Sequence, residues 1–474
     1  MLTLFKRLAI AAALSALFGC SNYIHYTVQP AEPISEEECA TPAPRKYPDQ
    51  FVGVGLSGGG SRASVFSAAT LEALWEQGLG DMITHVSSVS GGSLAGTYFS
   101  ANYPSCDLLP TPAEQNACWK DFFTDYKEAM RYKFYGSMKK SQILKFRLYS
   151  ASRLANSLKE TLDKNYLNGM TFADLAERDA ALVEQGIYPP VMLVNATSYD
   201  DGRRIIFSNQ CLSDNIAPID DDIVGNPLTL DTTRSLPLMP ANCTQPTEQN
   251  IPLSLAATSS AAFPGFVGPI TYRMPLTCEG EGLEWWHIGD GGLSDNAGVN
   301  TLEEVLLREH RLEPRTLKRA MFLEVESSVT KDPAELRQIE DFWVLTYHAT
   351  EVAAALRQRG DGYHKLFWKQ FEGDLKEDGL PLEKLSFAVM DAVIDEWPAS
   401  CPQQAKSVNQ STEDIRADIS VELSKIPTHY KVSECHADLL EVAAQNVVRA
   451  KLTPEMMERL KSMGFTVRTA PVAR

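Results

Sequence analysis

Three short stretches of the chain hold residue types that together can carry out nucleophilic acyl chemistry. Ser57-Gly58-Gly59-Gly60-Ser61-Arg62 sets three consecutive glycines beside an arginine, and Ser88-Val89-Ser90-Gly91-Gly92 sets a serine among small residues. His287-Ile288-Gly289-Asp290-Gly291-Gly292 ends a short apolar run in an aspartate. A serine hydroxyl becomes a nucleophile when a base takes its proton, and a carboxylate within hydrogen-bond reach is a sufficient base. Glycine N–H groups at the positive end of a helix stabilise an anion, either a phosphate or the oxyanion of acyl transfer. A phosphate loop would call for Gly-Lys-Ser/Thr, which is absent here.

The elements that must position these residues can be read from the flanking patterns. The stretch FVGVGLSGGGSRASVF (Phe51 to Phe66) also contains Gly53-x-Gly55-x-x-Gly58, the spacing of a dinucleotide-binding fingerprint. That fingerprint needs a strand before its first glycine and an acidic residue at the end of the next strand. Here the preceding residues are KYPDQF, the strand itself holds Gly53 and Gly55, and the next strand, His85 to Val89, runs into serine and glycines. The pattern therefore argues against a dinucleotide. The turn is Ser57 to Gly60, followed by a helix with Ala68, Leu71, Leu74 and Trp75 at helical spacing and Gly78 as its stop. Ser88 to Gly92 has nucleophile-elbow spacing with serine in place of the first glycine, a sharp strand-to-helix turn that lifts Ser90 Oγ above the sheet end.

A chain of 474 residues with 44% hydrophobic content can bury a large core. From Phe51 to about Ser328, β-rich runs (HVSSVS, PVMLVNATS, RRIIFSN, AMFLEVESS) alternate with amphipathic stretches, which predicts an α/β sheet covered by helices. Beyond Asp332 the pattern is mostly helical and closes with Thr453 as N-cap, Pro454 at the first helical position and Gly464 at the stop. A net charge of −17 excludes a general affinity for nucleic acid. Against that background Met130 to Arg153 carries seven basic residues and no acidic one, interleaved with Tyr, Phe, Leu and Ile. It reads either as a solvated helix face or as a surface that docks on anionic lipid. No C-x-x-C, H-E-x-x-H or EF-hand pattern is present, so no metal is expected.

At the start of the chain Lys6 and Arg7 precede an apolar run from Leu8 to Phe18, too short to span a bilayer comfortably. Leu17, Gly19 and Cys20 resemble the lipobox of bacterial lipoproteins. That resemblance implies a signal peptide over residues 1–19 and a lipid on Cys20. With Ser21 following, it implies an anchor in the outer membrane of a bacterial envelope. Residues 20–48, rich in proline and with Glu36 to Glu38, read as a tether. The eight cysteines other than Cys20 suit an oxidising compartment, and short loops make Cys106 with Cys118, Cys211 with Cys243, and Cys401 with Cys435 the first pairs to expect. Spacing alone leaves the connectivity open.

The three motifs in this order, together with ATSSAAFPGFVGPI (Ala257 to Ile270), resemble the patatin-like phospholipases and the related catalytic domains of cytosolic phospholipase A2. The resemblance covers roughly Phe51 to Glu326. It implies a three-layer α/β/α catalytic domain over residues 49–330, with a mostly parallel central sheet and a mainly helical region, 331–474, packed on it. It also implies Ser90 as nucleophile, Asp290 as general base, Gly58, Gly59 and Gly60 as the oxyanion loop, Arg62 as its brace, and no cofactor. The implied activity is lipid acyl hydrolysis, of phospholipid or another acyl-ester lipid, through a Ser-Asp dyad and an acyl-enzyme. Ser57 and Ser88 depart from the aspartate and glycine common in the family but remain small. The alternatives are a triad through His287, an esterase or acyltransferase on other lipids, and a non-catalytic lipid-binding lipoprotein. Trp285 and Trp286 either line the site or pack in the core.

The leader reading predicts that Cys20→Ala releases the protein from the membrane fraction, because so short an apolar run anchors poorly. Fractionation checks this; undiminished membrane retention would point to an uncleaved anchor.

Overall fold

The computed structural model describes residues 25–27, 42–144, 151–200, 202–210, 233–235, 251–264, 267–275, 283–312, 316–329, 367–404, 410–428 and 430–468. Ten strands form one sheet: β1 (His25–Thr27), β2 (Gln50–Leu56), β3 (His85–Val89), β4 (Val191–Ser198), β5 (Arg204–Ser208), β6 (Thr233–Ser235), β7 (Ile270–Pro275), β8 (Leu283–Asp290), β9 (Arg319–Glu326) and β10 (Leu382–Ala388). Their order is β1-β7-β8-β4-β3-β2-β9-β10, with β5 and then β6 branching from β4. The five central strands from β4 to β10 are parallel, whereas β8 runs antiparallel to both β4 and β7. The sheet is thus mixed but mostly parallel, with every residue of β2, β3 and β4 buried. That is the burial expected of strands covered on both faces.

The period-two alternation of a strand divides the core into two layers. Val52, Val54, Leu56, Met192, Val194, Met321, Leu323 and Val325 face the larger one. Phe51, Leu193, Ala320 and Phe322 face the smaller one. The larger layer is covered by α1 (Gly60–Glu76), α2 (Gly91–Ala101) and α3 (Leu253–Ser260), and the smaller by α4 (Val299–Leu312). Gly53 and Gly55 point into the smaller layer. A Cβ on Gly53 would lie 2.8 Å from Leu302, and one on Gly55 2.7 Å from the Ala297 carbonyl. The glycines that imitate a dinucleotide fingerprint are there so that α4 and the turn before it can pack flat on β2.

α1 is buried from Gly60 to Leu74, because α2 packs on one side and α5 (Glu434–Lys451) on the other. The region beyond residue 330 therefore contributes a covering helix, and it contributes more than helices. β10 pairs in parallel with β9 along its whole length, so beside its helices this region also supplies a strand of the central sheet. LEKLSFA alternates half-buried and buried positions, a short period-two run surrounded by helical patterns. Part of the tether is also structured, since β1 pairs with β7. Thr453 accepts the Met456 N–H and Pro454 opens the last helix.

Disulfides join Cys106 to Cys118 and Cys401 to Cys435. The leader with Cys20, and the expected Cys211–Cys243 pair, lie outside the described residues. Among the described residues no helix is long and apolar enough to cross a membrane.

Phe387 of β10 is fully buried in the larger layer. Phe387→Ala is expected to cost about 3–5 kcal/mol of stability, the range for deleting a core aromatic. Urea unfolding should show one transition moved to lower denaturant; a separate early transition for the C-terminal region would contradict a shared core.

Candidate active site

β3 ends at Val89 and α2 begins at Gly91, so Ser90 is the single residue in which the chain reverses. It does so at φ 51° and ψ −117°, and only Ser90 and Asn168 have positive φ among the described non-glycine residues. Such a backbone costs on the order of 1–3 kcal/mol and persists where its surroundings hold it. Here the Ser90 N–H donates to Ser260 Oγ at 2.8 Å. Close approach forbids a side chain at 91, where a Cβ would stand 2.0 Å from the Gly60 carbonyl oxygen. The elbow and the glycine turn are therefore in contact.

Ser90 Oγ donates a 2.7 Å hydrogen bond to Asp290 Oδ2. Asp290 is the last residue of β8, opposite Ala196 of β4. Its second oxygen, Oδ1, accepts the Gly292 N–H at 2.8 Å. Both side chains are sheltered, Ser90 at 7% exposure and Asp290 at 4%. Burial pushes the Asp290 carboxyl up from 3.8 to about 6, against the opposite pull of the bonds from Ser90 and Gly292. A carboxylate in that range is still ionised at neutral pH and is a stronger base than an exposed aspartate.

The glycine turn is pinned from below. Ser327 Oγ donates to the Gly58 carbonyl at 2.9 Å, and the Ser327 N–H donates to Ser57 Oγ at 2.8 Å. Serine at position 57 thus has a structural partner. The buried Arg62 donates from Nε to the Ser327 carbonyl at 2.7 Å and from Nη1 to the Ile426 carbonyl at 2.6 Å. The Gly58 N–H donates to the Asn296 carbonyl at 2.9 Å, which commits that group to fixing the turn. Gly59 and Gly60 stand at the N-terminus of α1, where N–H groups have no intrahelical carbonyl. Gly60 has φ +59°, and a Cβ there would lie 1.8 Å from the Thr428 carbonyl oxygen.

His287 lies elsewhere. Its Nδ1 is 2.8 Å from Asp200 Oδ1, its N–H donates to Asp200 Oδ2, and the side chain is exposed. Three residues along a strand separate it from Asp290, which puts the two on opposite faces. Among the described residues no histidine is bonded to Ser90 or Asp290. Trp286 packs against the larger layer, and Trp285 is 45% exposed beneath the Arg273 guanidinium. In the basic segment, Phe134 and Met138 are buried while Lys133, Lys139 and Lys140 are exposed, and Arg131 is paired with Asp438 and Glu441. The segment thus combines a core-facing side with a cationic one; Lys145 and Arg147 lie outside the described residues. Among the described residues no group of His, Cys, Asp and Glu is arranged to hold a metal.

Several contributors carry no chemical signature in the sequence. Asn296 and Ser327 act by polar contacts to the turn, and Ile426 by a carbonyl 364 positions from Arg62. Ser260 lies inside the Ala257–Ile270 stretch, but only its contact with Ser90 reveals its part.

The family model for patatin-like phospholipases matches residues 55–302. Human GIVD cytosolic phospholipase A2 is similar at 13% identity with a TM-score of 0.44, covering 88% of this chain and 60% of that one. VipD from Legionella pneumophila is similar at 13% identity with a TM-score of 0.28, covering 88% of this chain and 67% of that one. No curated protein sequence matches.

Raising the Asp290 pKa makes the folded state hold its proton more tightly than the unfolded chain. This stabilisation is complete below the unfolded value and is lost as pH rises through about 6. Asp290→Asn cannot titrate, so its stability relative to wild type should climb between pH 4 and 7 by about 3 kcal/mol at most, at about 1.4 kcal/mol per pKa unit. Urea unfolding of both proteins across that range checks this; a difference independent of pH would contradict the raised pKa.

Proposed function

The chain belongs to the patatin-like phospholipase family, and from that premise we propose that it hydrolyses carboxylic ester bonds of membrane lipids, phospholipid foremost, through an acyl-enzyme on Ser90. The observation that carries this reading is the 2.7 Å bond from Ser90 Oγ to a buried carboxylate with pKa about 6. Oγ attacks the ester carbonyl as Asp290 takes its proton. The oxyanion of the tetrahedral intermediate is received by the N–H groups of Gly59 and Gly60, with the helix dipole of α1 behind them. As the intermediate collapses, the proton on Asp290 passes to the departing alcohol. Water then attacks the acyl-serine, Asp290 takes its proton, and collapse returns a proton to Ser90 Oγ and releases the fatty acid. Arg62 acts at one remove by holding the turn.

The same reading gives the protein a membrane-bound substrate. A lipid on Cys20 would keep it at the outer membrane, and the exposed Lys133, Lys139 and Lys140 would face anionic headgroups. An esterase or acyltransferase would share the same first half-reaction, so the substrate has to be tested by itself.

Ser90→Ala and Asp290→Asn should each remain folded and lose at least about a hundredfold in ester hydrolysis, the scale for removing a nucleophile or its base. A fluorophosphonate probe should label wild type on Ser90, and kcat/KM should fall on the acid side of about pH 6. Release of fatty acid from phospholipid vesicles, compared with a soluble short-chain ester, separates a phospholipase from an esterase. Near-normal turnover by either variant would defeat the dyad.

A further inference from the structure

The turn that follows α3 touches both members of the dyad. Ser260, the last residue of α3, is fully buried. Its hydroxyl donates to the Asn195 carbonyl, lies 2.8 Å from Ser93 Oγ and accepts the Ser90 N–H at 2.8 Å. A hydroxyl has one proton and two lone pairs, so with Ser93 donating every capacity of Ser260 Oγ is used. Two residues on, the Ala262 carbonyl accepts the Asp290 N–H at 3.2 Å. The turn is itself held, because Tyr430 donates its hydroxyl proton to the Ala261 carbonyl at 2.8 Å and Tyr199 donates to that of Ala262 at 3.3 Å.

Ser90 cannot place its N–H in the sheet, since the pairing of β3 with β4 ends at Val89 opposite Asn195. Ser260 Oγ is the acceptor that this N–H meets instead, and the chain beyond it turns away at a positive φ. Asn195 in turn sits under the elbow, donating from Nδ2 to Ser87 Oγ at 2.9 Å and to the Ser88 carbonyl at 3.0 Å. A Ser90 N–H committed to Ser260 is also unavailable to an oxyanion, so its role here is to set backbone geometry.

We propose that Ser260 is a positioning residue for the nucleophile: its hydroxyl holds the Ser90 backbone in the strained turn that keeps Oγ on Asp290, while the carbonyl of Ala262 sets the base in the same register. The inference rests on Ser90 as nucleophile. Without the Ser260 oxygen the buried Ser90 N–H has no acceptor, the turn relaxes, and Oγ drifts from the carboxylate. The bond from Ser90 is one of the influences that lower the Asp290 pKa, so weakening it moves that pKa upward. This gives the positioning role a readout that a loss of packing does not share.

The experiment uses the full chain and four measurements: thermal unfolding, second-order labelling by a fluorophosphonate, and KM and kcat on a soluble ester as functions of pH. Ser260→Ala should label about 10- to 100-fold more slowly and lose kcat to the same degree, with KM within about threefold and the acid limb displaced above the wild-type position. These ranges follow the scale for misplacing a reacting group by a fraction of an ångström to an ångström. Ser259→Ala is the control, since its hydroxyl is equally buried but donates to the Leu255 carbonyl and pairs with Tyr272; it should keep the wild-type rate and limb. If Ser260→Ala does not fold, Ser260→Cys keeps the volume with a weaker acceptor and carries the same expectation. A folded Ser260 variant that labels within twofold of wild type overturns the inference. So does an equal loss in the Ser259 variant, or a loss without movement of the acid limb. Wild type that is not labelled on Ser90 defeats the nucleophile reading instead, so the two failures are distinguishable.

Discussion

A hydroxyl and a carboxylate held 2.7 Å apart with most of their surface buried is the constraint around which this molecule is arranged. Burial that raises the Asp290 pKa disfavours its charge at neutral pH, and the strained Ser90 backbone adds a second unfavourable contribution. The local bonds from Ser90 and Gly292 oppose only the first, and in part. The stabilisation comes from a sheet buried on both faces and from polar groups that saturate the elbow from several directions. Stability is in this sense spent at the site and supplied by the scaffold around it.

The sheet topology explains how two residues 200 positions apart come to share a proton. β2, β3, β4 and β9 are parallel, so their C-terminal ends lie along one edge and the turns that leave them are neighbours. β8 runs antiparallel to β4 but overlaps only its last residues, Ala196 to Ser198, so its C-terminal residue, Asp290, stops opposite Ala196, close to that same edge. Three consecutive glycines are needed because Asn296, Ser327 and the Thr428 carbonyl stand where Cβ atoms at 58, 59 and 60 would lie.

The C-terminal region belongs to this arrangement through particular atoms. Arg62 reaches the Ile426 carbonyl, Thr428 sits over Gly60, and Tyr430 holds the Ala261 carbonyl. The Cys401–Cys435 disulfide ties the start of α5 to the chain that follows β10. The glycine turn is thus touched directly, and the segment that binds Ser90 and Asp290 is held, by chain well beyond the matched family region of 55–302.

The amino-acid sequence by itself determined the local pieces. Ser90 among small residues, the glycines from 58 to 60, and Asp290 at the end of an apolar run are legible because strand-to-helix turns and helix starts restrict residue type within a few positions. The parallel α/β character, α1 with its stop at Gly78, and the cap at Thr453 are legible for the same reason. What only the tertiary structure decided are relations between distant segments. Gly58 gives its N–H to Asn296, His287 turns to Asp200, β10 joins the sheet, and Ser260 meets Ser90. None of these follows from local propensity, because each is a hydrogen bond or a pairing between groups that many other partners could satisfy. Only the packing of the sheet and its helices brings one of those partners into reach.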